Sequence, residues 1–303
     1  MKGAIWKTAA AGACLALALP TLGARAEEWV LSENGKYWMY YYAPGRPAED
    51  QWIQYEGKEY YLDRSGHMKT GWMTDPDSGE KVYLGPDGAK AASVFAEDGK
   101  YVGSDSREAA AFNKYLKAAE KTADDWLSQV KKTSSPVLWL GWEDLDGDGF
   151  RDLSVSQGDG AAPVRLLGVY IWDSDSQELN ASFETDIEDG GTWARLLREK
   201  ENRELWLEIL EGDSCCAYFS LGDAGPVFEN QVNYTMEVDE WGMVVYLENG
   251  DETDRDTWAK SREATRARLE EAGLRLSPAA DQEAVTAALK VGLTPQEALL
   301  WEE

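Results

Sequence analysis

Histidine and cysteine are almost absent from this chain of 303 residues, which has one His and three Cys. His67, the single histidine, lies in a glycine-containing turn of a repeat region, where we expect an exposed turn residue. Cys215 and Cys216 are adjacent, and because neighbouring cysteines make a strained disulfide, two free thiols are expected. No Cys/His pair for nucleophilic catalysis and no zinc-ligand set is present, which argues against cysteine hydrolases and the usual zinc amidases.

Positive charge is also scarce, since 30 Lys and Arg stand against 56 Asp and Glu, for a net charge of −26. Such a chain repels nucleic acid and anionic lipid. No segment after residue 26 approaches the roughly 20 apolar residues that cross a bilayer. This excess of acidic residues is consistent with a soluble extracellular protein that binds divalent cations, although the need for solubility alone explains it equally well.

The N-terminus has the pattern of a secretory signal peptide over residues 1–26. Lys2 and Lys7 precede an apolar run at residues 8–19, and an A-x-A cleavage motif occupies residues 24–26. Cys14 raises the alternative of a lipoprotein signal, which the residues before it disfavour. We therefore expect a secreted protein.

Residues 27–104 differ from the rest because aromatic residues and glycines recur there at short intervals. The clearest unit runs from Trp52 to Trp72, a second from Trp72 to Val94, and an earlier one from Trp29 to Gln51. Each unit is predicted to form a β-hairpin with a glycine turn and paired aromatic residues in its second strand. One hairpin cannot bury its aromatic face alone, so the spacing predicts a short stacked solenoid.

The pattern at Trp52–Trp72, W-x(4)-G-K-x-Y-Y-L-D-x(2)-G-x-M-x-T-G-W, resembles the choline-binding or cell-wall-binding repeat of Gram-positive surface proteins. The resemblance implies binding of choline on teichoic acid, or of a wall glycan, through boxes of aromatic side chains. Aromatic faces attract a quaternary ammonium group, while packing of the hairpin stack is the competing role for these residues. The predicted binding residues are Trp29, Trp38, Trp52, Tyr60, Tyr61, Met68 and Trp72.

Residues 105–303 predict an α+β domain with an antiparallel β meander, so the fold class is multidomain, with the hairpin solenoid first. Apolar residues at helical spacing predict a helix over 107–132, and Thr253 with Asp256 suggests the cap of a later one. Further helices are expected to begin at Ser277-Pro278 and at Thr294-Pro295. Alternating patterns predict strands near 137–142, 153–156, 164–172, 179–185, 192–198, 204–210, 215–221, 227–237 and 241–247.

An acidic loop at residues 144–152 has the ligand spacing of a calcium site. Oxygen donors at its first, third, fifth and ninth positions, with a glycine at the sixth, are what such a loop requires. Position twelve is Val155 where an EF-hand has Glu, and the loop instead resembles those of dockerin-like and integrin-type repeats. We expect the calcium to have a structural role, and the alternative is an acidic turn that binds no ion. The predicted calcium ligands are Asp144, Asp146, Asp148, the Phe150 carbonyl and Asp152.

The leading hypothesis from the sequence is a non-enzymatic protein tethered to cell-wall polymer, whose calcium-stabilised domain offers a face to a surface-protein partner. The alternative is a wall-directed glycan hydrolase that uses the repeats for targeting. A glycosidase needs only two carboxylates, and Glu208, Glu211 and Asp213 lie close together in sequence, although solvation at the surface explains them equally well.

Overall fold

A computed structural model describes residues 27–187, 192–212, 214–221 and 227–290. The predicted signal peptide and the helix expected at Thr294 lie outside these residues. By internal contacts these residues divide into two compact units. The first comprises residues 27–70 with residues 86–89, and the second comprises residues 71–85 with the described residues from 90 to 290. The predicted domain boundary at residue 104 stays a prediction.

The first unit consists of short antiparallel strands joined by tight turns. The turn at Glu56 and Gly57 has two residues with φ of 49° and 78°, the left-handed conformation that glycine adopts at no steric cost. Tyr40 and Leu62 are buried in a small core beneath the hairpins. Its strands are β1 (Glu28–Leu31), β2 (Trp38–Ala43), β3 (Arg46–Pro47), β4 (Gln51–Tyr55) and β5 (Lys58–Leu62).

The second unit begins with two more hairpins and continues into two larger sheets with three helices. Its elements are β6 (Gly71–Thr74), β7 (Lys81–Leu84), β8 (Val94–Phe95), β9 (Tyr101–Val102), α1 (Ala110–Val130), β10 (Val137–Glu143), β11 (Asp152–Gly158), β12 (Pro163–Asp173), β13 (Glu178–Glu184), β14 (Thr192–Glu199), β15 (Leu205–Glu211), β16 (Cys215–Leu221), β17 (Phe228–Val238), β18 (Val244–Glu248), β19 (Asp251–Thr253), α2 (Arg255–Arg268), β20 (Leu269–Glu271), β21 (Leu276–Ala279) and α3 (Gln282–Leu289).

Two antiparallel sheets form the centre of the second unit. One has the order β13-β12-β11-β10-β21 and the other β19-β18-β17-β16-β15-β14-β20, so consecutive strands are mostly neighbours. This arrangement confirms the predicted antiparallel meander, which is divided between two sheets. The coarse fold prediction, antiparallel strands with a few helices, is also confirmed, whereas the stacking of the hairpins into a solenoid stays a prediction.

Three apolar clusters hold these layers together. Helices α1 and α3 pack on the five-stranded sheet through residues such as Phe112, Leu140 and Val285. Aliphatic residues of β12, β14 and β15, among them Val169 and Leu207, fill the space between the two sheets. Helix α2 covers the outer face of the seven-stranded sheet through Trp258, which also donates its indole N–H to the Leu247 carbonyl at 3.1 Å.

Two sequence predictions about helix starts are wrong. Asp254, rather than Thr253, caps α2, because its carboxylate accepts the backbone N–H groups of Asp256 and Thr257. The predicted helix start at Ser277-Pro278 falls in β21, which pairs with β10 at the edge of the five-stranded sheet. An edge strand tolerates the missing N–H of proline. Helix α3 begins later, at Gln282 with Asp281 as its cap.

No helix among the described residues has both the length and the apolar character needed to cross a membrane.

Candidate functional sites

The hairpins of the repeat region share one cross-strand pair of aromatic residues. In the hairpins β1–β2, β4–β5, β6–β7 and β8–β9, the aromatic residue of the first strand lies opposite a tyrosine of the second strand, with the rings in edge-on or tilted contact. Such pairs stabilise two-stranded sheets that have little other core. The ring centroids are separated by 5.2 Å in Trp29–Tyr40, 5.3 Å in Trp52–Tyr61, 5.1 Å in Trp72–Tyr83 and 5.1 Å in Phe95–Tyr101.

In the first unit, the predicted binding residues lie in two neighbouring aromatic groups. Trp29 contacts the ring of Tyr60 at 5.1 Å, and both are half-buried. Trp52, also half-buried, lies against Tyr61, which is buried and donates its hydroxyl proton to Asp50 at 2.7 Å. That hydrogen bond lowers the pKa of the Asp50 carboxyl. The hydroxyl of Tyr61 is therefore fixed by Asp50, whereas the indole of Trp52 keeps part of its surface in solvent.

The remaining predicted residues of this unit differ in exposure. Trp38 is 41 % exposed in β2, opposite Leu31. Met68 is half-buried and packs against the small core of the unit, where a side chain at Gly88 would collide with its thioether. His67 is half-buried rather than fully exposed, and its ring stacks on Tyr37 with centroids 4.1 Å apart. Trp38 is the most accessible of the predicted residues, and the binding role of Met68 stays a prediction.

Trp72, in the second unit, already has a cation over its ring. The Lys81 ammonium lies 5.2 Å from the ring centroid, and Tyr83 packs on the same indole. The indole N–H donates to Asp98 at 3.1 Å, which fixes the orientation of the ring. An aromatic face that holds an ammonium group has the geometry for a quaternary ammonium, but Lys81 would compete for it.

The acidic loop connects β10 to β11 and is shaped by hydrogen bonds from its own backbone. Asp144 accepts the N–H groups of Gly147 and Gly149 at 2.6 and 3.0 Å. Asp152 is fully buried, and its two carboxylate oxygens accept the N–H groups of Leu145 at 2.7 Å and Trp172 at 2.9 Å. Asp152 therefore connects the loop to the neighbouring strand, β12.

Three of the four predicted carboxylate ligands converge. One oxygen each from Asp144, Asp146 and Asp152 lies within 4.8 Å of the others. Asp148 lies outside this group and accepts the N–H of Phe150 at 2.8 Å. The convergence of three carboxylates on one point is a donor set for a hard cation such as calcium.

The electrostatics of the loop agree with a site for a cation. Burial, with a contribution from neighbouring carboxylates, raises the pKa of Asp148 to about 6 and also raises the pKa of Asp146 and, more strongly, of Asp152. A raised pKa means that the environment of the carboxyl disfavours its charged form. A divalent cation would reverse this penalty by neutralising the carboxylates.

The environment of Glu208 differs from the solvated surface that the sequence suggested. This residue is 2 % exposed, not solvated, and its carboxylate pairs with Arg195 and accepts the Tyr218 hydroxyl proton at 2.7 Å. Burial is the main cause of the raised pKa of the neighbouring Cys216 thiol. Glu208 and Glu211 are three positions apart on β15 and so lie on opposite faces, which separates them as a catalytic pair. Asp213 lies outside the described residues.

Comparisons with known proteins support the repeat assignment. No protein-family model matches the chain. Two curated relatives, both described as putative endo-beta-N-acetylglucosaminidases of Streptococcus pneumoniae, are 32% identical over 76 residues, which is 25% of this chain. The chain covers only 11% and 10% of their lengths, so it matches a small part of each.

Two solved structures of Streptococcus pneumoniae proteins are also similar. CbpJ of strain TIGR4 is 32% identical, covers 26% of this chain and 25% of its own, and has a TM-score of 0.22. Choline binding protein F is 20% identical, with 55% and 45% covered and a TM-score of 0.26. The resemblance drawn from the repeat motif is confirmed at the level of sequence, by 32% identity to CbpJ and to the curated relatives over about a quarter of this chain.

Proposed function

We propose that this is a secreted binding protein whose aromatic hairpins attach it to a choline-bearing or glycan polymer of the bacterial cell wall. The observation that carries the proposal is the repeated cross-strand aromatic pair, which places Trp29, Trp52 and Trp72 at the same position of successive hairpins. The sequence identity to curated pneumococcal proteins, over a stretch about as long as the repeat region, supports it.

The chemistry of these indoles favours a cationic, methylated ligand. An aromatic ring attracts a quaternary ammonium through its negative face, and the methyl groups of the ligand gain from contact with apolar surface. Trp52 and Trp72 are half-buried, so each is held in place and still presents ring surface. The net charge of −26 adds a general attraction for cationic groups.

The second part of the proposal is that calcium occupies the acidic loop and stabilises the domain that follows the repeats. Asp144, Asp146 and Asp152 would hold the ion, and the buried hydrogen bonds of Asp152 would connect it to the sheet. The ion supplies charge neutralisation, and the domain then has a stiffened surface for a protein partner. No step of chemistry is required of it.

The test is retention of the full chain on a choline-bearing matrix, followed by elution with free choline. Trp52→Ala removes one ring face and is expected to weaken retention by about 0.5–2 kcal/mol. Lys81→Gln frees the face of Trp72 and is expected to strengthen it. Trp241→Ala is the matched control, because this indole is 80% exposed and lies outside the repeats.

Equal retention of the Trp52 and Trp241 variants would reject the aromatic faces as the binding site. Failure of the unmodified chain to bind choline, combined with binding to purified wall glycan, would replace choline by glycan as the ligand.

A second candidate, a wall-directed glycan hydrolase, is favoured only by the description of the curated relatives. Purified cell walls incubated with the full chain distinguish the two: release of soluble sugar fragments would establish hydrolysis, and stable walls with bound protein would support the binding role.

A further inference from the structure

Four lysines surround one cavity in this otherwise acidic chain. The cavity, of about 600 Å³, lies where the turn between β8 and β9 meets helix α1 and the end of α3. The lysines that line it are Lys100, Lys114, Lys117 and Lys290. Three carboxylates, Asp98, Glu108 and Glu120, also line it, so its formal charge is +1 where the chain as a whole carries −26.

The three carboxylates of the cavity have partners within the protein. Asp98 accepts the indole N–H of Trp72 at 3.1 Å, and Glu120 accepts the Thr286 hydroxyl proton at 2.7 Å. Glu108 pairs with Lys100 at 2.7 Å, and this hydrogen bond raises the pKa of the lysine. Glu108 and Lys100 thus neutralise one another.

The other three lysines remain available to a ligand. Lys114 and Lys117 are exposed on α1 and have no hydrogen-bond or ion-pair partner among the residues that the structure describes. Lys290 lies 5.7 Å from the ring centroid of Phe95, and its ammonium has no hydrogen-bond or ion-pair partner within the described part of the chain. Three ammonium groups around one concave surface match the charge and donor requirement of a phosphate group.

We propose that this cavity binds a phosphate group of the wall polymer beside the last hairpin, β8–β9. The inference rests on the proposed attachment to a wall polymer and names a second chemical group that is recognised there. A teichoic acid is a chain of phosphodiesters, which a protein of net charge −26 repels unless it offers a local cationic surface. The cavity supplies that surface.

The position of the cavity supports a joint site for cation and phosphate. Asp98 is shared, since it lines the cavity and holds the indole of Trp72. One aromatic face and the lysine cavity are therefore connected through a single carboxylate. A polymer with alternating cationic and phosphate groups would contact both at once.

The experiment titrates the full chain with two choline-free probes, inorganic phosphate and a short glycerol phosphate oligomer, by isothermal calorimetry at low salt. The double substitution Lys114→Glu and Lys117→Glu is expected to weaken oligomer binding by about tenfold or more. The matched control, Lys131→Glu with Lys132→Glu, makes the same change of charge at the exposed other end of α1 and is expected to change it less than twofold.

The outcomes separate this inference from the proposed function. Oligomer binding that depends on Lys114 and Lys117, with choline retention unchanged in that variant, supports the cavity as the phosphate site. Absence of oligomer binding, or an equal loss in the control, overturns the inference and leaves the choline result untouched. If inorganic phosphate binds at these lysines and the oligomer does not, the inference is also overturned, because the ligand of the cavity would then be free phosphate rather than a polymer.

Discussion

Tryptophan serves different purposes in the repeat hairpins and in the two larger sheets. Trp52 and Trp72 stay half-buried, and each contacts a tyrosine across a two-stranded ribbon. Trp172 and Trp258 are only 2% and 7% exposed, because a helix covers each sheet and closes over the indole. A two-stranded ribbon has too little surface to bury an indole completely, so its tryptophans keep part of their ring surface in solvent.

The same contrast appears in the hydrogen bonds. In the hairpins, carboxylates such as Asp63 accept backbone N–H groups two to four residues away and close local turns. In the sheets, Asp152 joins Trp172 across 20 residues of chain. The turns of the hairpins are therefore closed by local hydrogen bonds, whereas the acidic loop of the later domain is also held to a strand that is distant in sequence.

The largest expected loss of stability comes from replacing a buried tryptophan of the larger sheets by alanine, and the same replacement in a hairpin should cost much less. Trp172→Ala leaves a cavity against Tyr115, whose ring centroid is 5.3 Å away, and should reduce the free energy of unfolding by about 3–5 kcal/mol. Trp52→Ala should cost about 1 kcal/mol, since the indole is half in solvent. Urea unfolding followed by circular dichroism measures both, and equal losses would contradict the division of roles.

Calcium should stabilise the later domain and leave the repeats unchanged. At a concentration 100 times its Kd, the ion adds about 2.7 kcal/mol to the free energy of unfolding. Asp146→Asn should abolish this gain, while Asp175→Asn, an exposed turn carboxylate, should preserve it. Thermal melting with calcium and with a chelator is the measurement. A calcium effect on choline retention would show instead that the repeats depend on the ion.

The smallest of these effects concerns the buried carboxylate on β15. Glu208→Gln removes the charge that pairs with Arg195 and should cost about 1–3 kcal/mol, since Arg195 is 42% exposed and regains water. Glu211→Gln, on the exposed end of the same strand, should change stability by no more than about 0.5 kcal/mol. A chemical denaturation series tests the pair, and equal values would mean that Glu208 is not a structural ion-pair partner.

The periodic patterns of the sequence predicted which helices and strands form more reliably than they predicted where each helix begins. The helix predicted over 107–132 is observed as Ala110–Val130, and the predicted strands between residues 137 and 247 correspond to β10–β18. The helix start placed at Ser277-Pro278 was wrong, because a turn signal in the sequence does not show that β10 has a free edge there. Local chemistry cannot reveal a partner strand more than a hundred residues away.

The binding-site residues show the same limit. The motif located the aromatic residues, but it did not distinguish Tyr61, which is buried and bonded to Asp50, from Trp52, which keeps ring surface in solvent. Nor did it show that Lys81 lies over Trp72. The spacing of the acidic loop identified Asp144, Asp146 and Asp152 correctly as neighbours, because a short loop constrains its own side chains.

The sequence by itself determined the hairpin repeats, the acidic loop and the antiparallel character of the later domain, since each depends on turn residues and alternation within a few positions. Only the tertiary structure decided that the meander forms two sheets, that Glu208 is buried, and that four lysines from the last hairpin, α1 and the end of α3 surround one cavity. These features need segments distant in sequence to pack together, and burial and charge proximity follow from that packing.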